Sequence, residues 1–342
     1  VQARTTSSTI PCAVFGASGY SGVELIWLLH NHPDFDVRYS FSSSARTAEP
    51  VSQLYPQLTD RLDLILQPWH PDLLSELAGQ VQVCFLALPH EISAELAPQL
   101  TAAGLTVFDL SGAFRLRDAS IHQSAYGFAL PLPDESIAYG LAEWTELSGT
   151  EALIAVPGCY PTAAALALLP VLPFISSTCT PVINAVSGVS GAGRKAAVHT
   201  SFCEVSLQAY GVGTHRHQPE IAQVLGRPVL FVPHLGNFKR GILETIYVEL
   251  NDDVTAEQIN TAFTDAYAHR PLIRMRACPP AISDVAGTPF CDIHWQRHGR
   301  QLVLCVAIDN LLKGAAAQAV QLANQYYGLP DTAGLNTIGG VI

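Results

Sequence analysis

The chain has 342 residues, enough for one large domain or two ordinary ones, with 49% hydrophobic and only 14% charged residues. So apolar a composition excludes disorder, and a net charge of −11 speaks against nucleic acid, because no basic excess exists to neutralise phosphates. No uncharged apolar stretch reaches the roughly 18 residues of a membrane span; Pro170 and Pro173 interrupt the run from Ala163 to Ile175.

The polar opening "VQARTTSST" lacks the apolar core of a signal peptide. The 8 cysteines are scattered and include no C-x-x-C pair, which argues against a zinc or thioredoxin-like site. Scattered cysteines in a chain of this size fit free thiols in a reducing compartment, with the cytoplasm as the expected location and no metal expected.

"IPCAVFGASGYSGVELIWLLHNHP" reads as strand, glycine turn and helix: an apolar run from Ile10 to Phe15, three glycines, then helical spacing up to Pro33. That setting suits a phosphate cradle, since glycines let a pyrophosphate approach the backbone and the helix start offers free N–H groups. Gly16, Ser18, Gly19, Tyr20, Ser21 and Gly22 form the expected cofactor-binding turn. The spacing is G-x-x-G-x-x-G rather than G-x-G-x-x-G, so a tight turn without a ligand is the alternative. The next strand, "DVRYSFSS", leads into "SSSARTAEP". Ser42, Ser43, Ser44 and Arg46, with no carboxylate before Glu49, suit a ribose 2′-phosphate and so NADP over NAD. The bland alternative is a serine-rich surface loop.

Apolar runs at 81–89 and 105–112, separated by a helix from Glu91 to Ala103, predict a doubly wound parallel sheet. "LSGAFRL" should then end near the ligand crevice, making Ser111 and Arg115 candidate phosphate contacts.

Beyond about residue 155 the strands stand further apart and several alternate, predicting an α+β unit with a mixed sheet. "VPGCYPTAAALALLP" places Cys159 between a Pro-Gly turn and a helix. A helix start favours a thiolate, so Cys159 is either a nucleophile or a small buried residue. "GTHRHQPEIAQVLG" offers His215 or His217 as proton carrier, Arg216 for a carboxylate and Glu220 to orient a ring. Read as a strand, this stretch points both histidines the same way, so spacing does not choose between them. "VSGVSGAGRKA" is an anion loop or a flexible turn. Lys239, Arg240 and Lys313 each read as solvated charges. "DNLLKGAAAQAVQLANQYYG" predicts a terminal helix, capped by Asp309 or Asn310, able to pack on the first unit.

The segments "GASGYSGVEL", "DLSGAFRL", "VPGCYPTAA", "SGVSGAGR", "HRHQPEI", "PHLGNFKRGIL" and "DNLLKGAAAQA" together resemble the N-acetyl-γ-glutamyl-phosphate reductases of arginine biosynthesis, in order from residue 16 to about 320. The resemblance implies a two-domain enzyme similar to aspartate-semialdehyde dehydrogenase. Its Rossmann-type NADP(H) domain would span 10–157, completed by a helix at 311–328, and its catalytic and oligomerisation domain 158–310. It carries the nucleophile onto Cys159 and the acid/base role onto His217, with His215 in reserve. Ser190 and Gly191 would join the cofactor site; Ser111, Arg115, Arg194, His215, Arg216 and Glu220 would contact an acyl-phosphate substrate. A homotetramer or homodimer is implied. One departure is "DVAGTPFCD" at 284–292, where something closer to Gly-Ser-Asn is expected, and no role is assigned there.

The chemistry implied is attack of the thiolate on the acyl phosphate, release of phosphate, and hydride reduction of the thioester to N-acetylglutamate 5-semialdehyde. Rival readings are an aspartate-semialdehyde dehydrogenase, an α-aminoadipate-type reductase of lysine synthesis, a thiol hydrolase and a nucleotide sensor. The glycine turn counts against the hydrolase, and the intact thiol and histidine motifs count against the sensor.

Overall fold

The computed structural model describes residues 9–130 and 137–335; the opening stretch 1–8 lies outside them. The chain begins as expected. β1 (Ile10–Phe15) runs through the glycine turn into α1 (Tyr20–His30) and returns as β2 (Phe35–Ser42), parallel to β1. Further strands are β3 (Glu49–Pro50), β4 (Ile65–Pro68), β5 (Val83–Leu86), β6 (Thr106–Asp109), β7 (Ile137–Tyr139) and β8 (Leu153–Ala155). They join in the order β3-β4-β2-β1-β5-β6-β8-β7, parallel throughout apart from the β3–β4 pair.

Both faces of this sheet are buried, as a parallel sheet requires. Cys12 and Val14 of β1 enter one core with α1, while Ala13 and Phe15 enter another. The helices on this half include α2 (Val51–Leu54), α3 (Leu74–Gln80), α4 (His90–Ala102) and α5 (Ala119–Tyr126). Asp118 caps α5 by accepting from the Ser120 and Ile121 amides.

The second sheet contains β9 (Val182–Gly188), β10 (Gln208–Ala209), β11 (Leu230–Gly236), β12 (Ile242–Glu249), β13 (Ile273–Met275), β14 (Cys291–His298) and β15 (Gln301–Ile308), in the order β10-β11-β9-β12-β15-β14-β13. It is mixed: β9 runs parallel to β11 and antiparallel to β12. Ile242, Ile246 and Val248 of β12 and Leu302, Leu304 and Val306 of β15 face a single core. α6 (Cys159–Leu168), α7 (His217–Leu225) and α8 (Ala256–Tyr267) cover that side. α6 is buried from Tyr160 to Leu168, which is why its sequence is almost wholly apolar.

The terminal helix, α9 (Ala317–Tyr326), returns to the first unit and shares a core with α1. It begins one turn late. Leu312–Ala316 winds as a π-turn, with the Gly314 amide donating to Asp309 O at 2.9 Å. Asp309 supplies the expected cap, its Oδ1 accepting from the Leu311 and Leu312 amides.

Two charges read in the sequence as solvated are buried. Lys313 donates to Glu143 Oε1 at 2.5 Å and to Gln321 Oε1 at 2.7 Å, and Arg240 joins Glu24 to Asp309. Lys239 is exposed, as expected. No helix among the described residues is long and apolar enough to cross a membrane.

Candidate active site

The glycine turn is shaped by backbone contacts. Gly16 has φ +77, and a Cβ there would lie 2.1 Å from Ala87 O; a Cβ on Gly22 would lie 2.2 Å from Gly16 O. Gly19 meets only Gly16 O, at 3.4 Å, so its outer side stays open to a ligand. It is also the N-cap of α1, and no side chain caps that end, which leaves the first-turn amides for an anion. Tyr20 and Ser21 open the helix.

Beside the turn is a cavity of about 390 Å³ lined by Gly16, Ser18, Gly19, Ser42, Ser43 and Ser44 on its polar side. Trp69, Leu88, Pro89 and Ile92 form its apolar wall. These wall residues were not legible in the sequence. Trp69 arrives from the loop after β4 and meets the rings of Phe15 and Phe41 edge-on, with centroids 5.0 Å away in both cases. An apolar wall facing a glycine and hydroxyl rim fits a nucleotide, with its base on one side and its phosphates on the other.

The serine and arginine group departs from expectation. The Ser42 hydroxyl donates to Gln67 O at 3.3 Å, and Arg46 is ion-paired with Glu49 rather than lining the cavity. Ser43 and Ser44 are the exposed hydroxyls at the rim.

A second cavity, also about 390 Å³, contains Cys159, His215, Arg216 and His217 with Tyr160 and Tyr210. Cys159 is the first residue of α6 and His217 the first residue of α7. The HRH segment is therefore a helix start rather than a strand; its two histidine rings meet edge-on, with centroids 4.9 Å apart, but have different further partners. The His217 ring reaches Gly158, where a Cβ would lie 2.6 Å from Nε2 and 2.8 Å from an Arg115 guanidinium nitrogen. The His215 ring instead packs among Tyr160, Tyr210 and Phe231, and its Nδ1 accepts from the His217 amide at 3.1 Å.

Several expected substrate contacts prove to be framework. Glu220 is fully buried and does not orient a histidine. Its Oε1 accepts from the Gly158 amide at 2.8 Å and from the Tyr139 hydroxyl at 2.9 Å, and its Oε2 faces Arg115 at 3.5 Å. Arg115 is held by the carbonyls of Val156 and Leu110, at 2.8 and 2.6 Å. The Ser111 hydroxyl donates to Asp109 and accepts from the Ala113 amide, so it is not free for a phosphate.

Arg194 lies over the Tyr55 ring at 5.3 Å, and Tyr55 donates to Ser18 O, which places this arginine on the nucleotide side. Gly191 lines the thiol cavity rather than the nucleotide cavity, and the Ser190 hydroxyl accepts from Asn310 at 3.0 Å. Arg216, exposed at the thiol cavity, has no ion-pair partner among the described residues.

Two further cavity residues, Gln208 and Tyr210, were missed by sequence reading. Gln208 lies on β10, a two-residue edge strand without a periodicity signal, and Tyr210 directly follows it. No group of residues able to hold a metal occurs among the described residues.

Burial dominates the titration of this site. It pushes the Cys159 thiol up to about 11, against the downward pull of Arg115 and of the Tyr160 amide. The expectation that the helix start alone keeps the thiol anionic is thus corrected. Burial also drives His217 well below the ordinary histidine value, helped by His215, Arg115, Arg216 and His90, so the ring is neutral. His215 falls to about 4 through burial and Arg216. In the substrate-free protein the thiol and the imidazole that share this cavity are therefore both neutral.

Two family descriptions match the sequence: "Semialdehyde dehydrogenase, NAD binding domain" over residues 11–152 and "Semialdehyde dehydrogenase, dimerisation domain" over residues 159–310. The N-acetyl-γ-glutamyl-phosphate reductase of Tolumonas auensis is 51% identical over 331 residues, covering 94% of this chain and 98% of that protein. That of Aeromonas salmonicida is 51% identical over 329 residues with the same coverage. Among solved structures, aspartate semialdehyde dehydrogenase II of Vibrio cholerae superposes with a TM-score of 0.68 at 20% identity, over 94% of this chain and 99% of that one. The Candida albicans aspartate semialdehyde dehydrogenase, solved with NADP, also gives 0.68, at 14% identity and the same coverage.

Proposed function

The chain belongs to the semialdehyde dehydrogenase family, among the N-acetyl-γ-glutamyl-phosphate reductases, and from that premise we propose that it works through a Cys159 thioester with His217 as proton carrier and NADPH as its cofactor. It is an oxidoreductase of arginine biosynthesis with an NAD(P)-binding domain and a dimerisation domain. The observation that carries the mechanism is that Cys159 and His217, each the first residue of a helix, line one cavity together with Arg216, which has no ion-pair partner among the described residues.

In the biosynthetic direction His217 takes the thiol proton, and the Cys159 sulfur attacks the acyl carbon of N-acetylglutamyl 5-phosphate. The C–O bond to phosphate breaks and a thioester forms. Bound NADPH supplies the hydride that reduces this thioester. The Cys159 sulfur then leaves as thiolate, and the protonated His217 returns its proton. A thiol suits both halves, because it is a good nucleophile and a good leaving group. Arg216 holds the substrate carboxylate in a two-pronged hydrogen bond, whereas Arg115 contributes positive charge without leaving its carbonyl partners.

The glycine turn would hold the cofactor, with Ser43 and Ser44 at the rim, and Arg46 would meet a 2′-phosphate in exchange for Glu49. The NADP-binding unit comprises 10–157 completed by the helix after Asn310; 158–310 forms the catalytic and oligomerising unit of a homodimer or homotetramer. Supporting this division, α9 shares a core with α1.

The test follows nicotinamide reduction by purified protein given N-acetylglutamate 5-semialdehyde, phosphate and NADP. Parallel arms contain NAD, aspartate semialdehyde, no phosphate, or the Cys159→Ser variant. Activity should require NADP, phosphate, the acetylated semialdehyde and the thiol. Equal rates with NAD would remove the NADP preference, and an active Cys159→Ser would remove the thioester.

A further inference from the structure

A buried chain of contacts links the cofactor turn to the thiol. Glu24, on α1 just beyond the glycine turn, accepts from an Arg240 guanidinium nitrogen at 2.7 Å. The same guanidinium grips Asp309 with two hydrogen bonds, of 2.7 and 3.0 Å. All three side chains are buried.

Asp309 is a hub. Besides Arg240, its carboxylate accepts from the Leu311 and Leu312 amides and, at 2.6 Å, from the Gly287 amide. That last contact gives a place to the "DVAGTPFCD" segment, to which the sequence assigned no role. The backbone carbonyl of Asp309 accepts from Gly314, fixing the π-turn. Gly314 in turn lies directly against the thiol residue: a Cβ there would stand 2.7 Å from Cys159 Cβ and 3.1 Å from its Cα. Only hydrogen fits at that position.

We propose that Arg240 is a positioning residue for the reaction: by joining Glu24 of the cofactor helix to Asp309, it fixes the π-turn whose Gly314 sets how far Cys159 stands from the cofactor. The inference rests on the reading of Cys159 as nucleophile and of the glycine turn as the NADP cradle. The physical case is the cost of misplacement. Two charged contacts at full burial, one of them forked, resist rotation far better than a single point charge. A displacement of about 1 Å at a reacting atom lowers a rate by about 10²-fold. Arg240 lines neither cavity, although its backbone lies against Gly188 of the thiol cavity, so the guanidinium is read as acting through Glu24 and Asp309.

The experiment uses full-length Arg240→Met, Arg240→Lys and Gly314→Ala. It reads kcat, the KM for NADP, and the pH profile of Cys159 alkylation by iodoacetamide. The alkylation is followed on the Cys159 peptide by mass, because Cys203 and Cys278 are exposed. Arg240→Met and Gly314→Ala should each lower kcat by about 10²-fold, leave the KM for NADP within about threefold, and displace the alkylation profile. Arg240→Lys, with charge but no fork, should fall between.

Folded Arg240→Met with the parent's kcat and alkylation profile would overturn the proposal. If Arg240→Met does not fold, Glu24→Gln, which leaves the Asp309 fork intact, decides by the same readouts. A displaced profile in Arg240→Met together with an active Cys159→Ser would sink the nucleophile reading while leaving the positioning chain in place.

Discussion

Glu220 accepts the amide hydrogen of Gly158 at 2.8 Å, so a carboxylate on one helix fixes the turn from which another helix, carrying Cys159, begins. The same carboxylate holds the Tyr139 hydroxyl and faces Arg115. Glu220→Gln keeps the volume but removes the charge, setting an amide N–H₂ against donors. The expected result is a loss of about 1.5–3 kcal/mol of stability, the scale of a hydrogen bond to a charged group, with a fall in kcat. Urea unfolding and steady-state kinetics check both; an unchanged midpoint and kcat would refute the role.

The thiol in the substrate-free protein should titrate late. Burial raises Cys159 to about 11, so the thiolate fraction, and with it the alkylation rate, rises about tenfold per pH unit below that value. Rates on the Cys159 peptide should climb log-linearly from neutral pH to beyond pH 9. A plateau near neutrality would mean that the helix start and Arg115 outweigh burial.

Gly22→Ala should cripple the cofactor turn. The added Cβ would meet the Gly16 carbonyl at 2.2 Å and the Ala17 Cα at 2.8 Å, both backbone atoms with no rotamer to yield. NADP affinity measured by fluorescence titration should fall at least tenfold. Gly19→Ala leaves the protein's own packing undisturbed, since its nearest contact would be at 3.4 Å, yet it should weaken NADP binding by covering the open side. Parent-like affinity in both variants would show that the ligand binds elsewhere.

Arg216 and Arg194 should separate cleanly. Arg216→Met removes the cation at the thiol cavity and should raise the KM for the semialdehyde tenfold or more, with the KM for NADP unchanged. Arg194→Met, at the Tyr55 ring, should do the reverse. Matching effects of the two variants on both constants would defeat this assignment.

Lys313→Met leaves Glu143 buried without its cation. Breaking one side of a buried ion pair costs about 3–5 kcal/mol. Chemical denaturation should show that loss, and the double variant Glu143→Leu with Lys313→Met should recover much of it. A single variant as stable as the parent would mean that water reaches Glu143.

What could be read from the sequence was what depends on neighbours along the chain. The alternation of apolar runs and glycine punctuation located β1, α1 and β5, and "GCYPT" placed Cys159 at a helix start. Arg240 and Lys313 were misread because their partners, Glu24 and Glu143, lie 216 and 170 residues away; no local pattern distinguishes a buried pair from a solvated charge. Glu220 was placed in the right neighbourhood but given the wrong partner, because one of its contacts is a backbone amide, which leaves no trace in residue type, and the others, Tyr139 and Arg115, lie 81 and 105 residues away. The histidines of the HRH segment were tied because a strand was assumed; with the helix beginning at His217 the two rings still meet, and only their further partners differ, Gly158 for His217 and Tyr210 and Phe231 for His215. Burial, which sets the state of Cys159, is a property of the assembled fold.

The closing helix adds a constraint of timing. Because α9 and the π-turn complete the core that β1 and α1 begin, the unit that is synthesised before the second sheet is finished only after it. Its apolar α1 face stays open while the second sheet is synthesised and closes. A nascent chain stalled before residue 312 should therefore be held by chaperones through its first unit, and the nucleotide site should become competent only once α9 has been made and has packed.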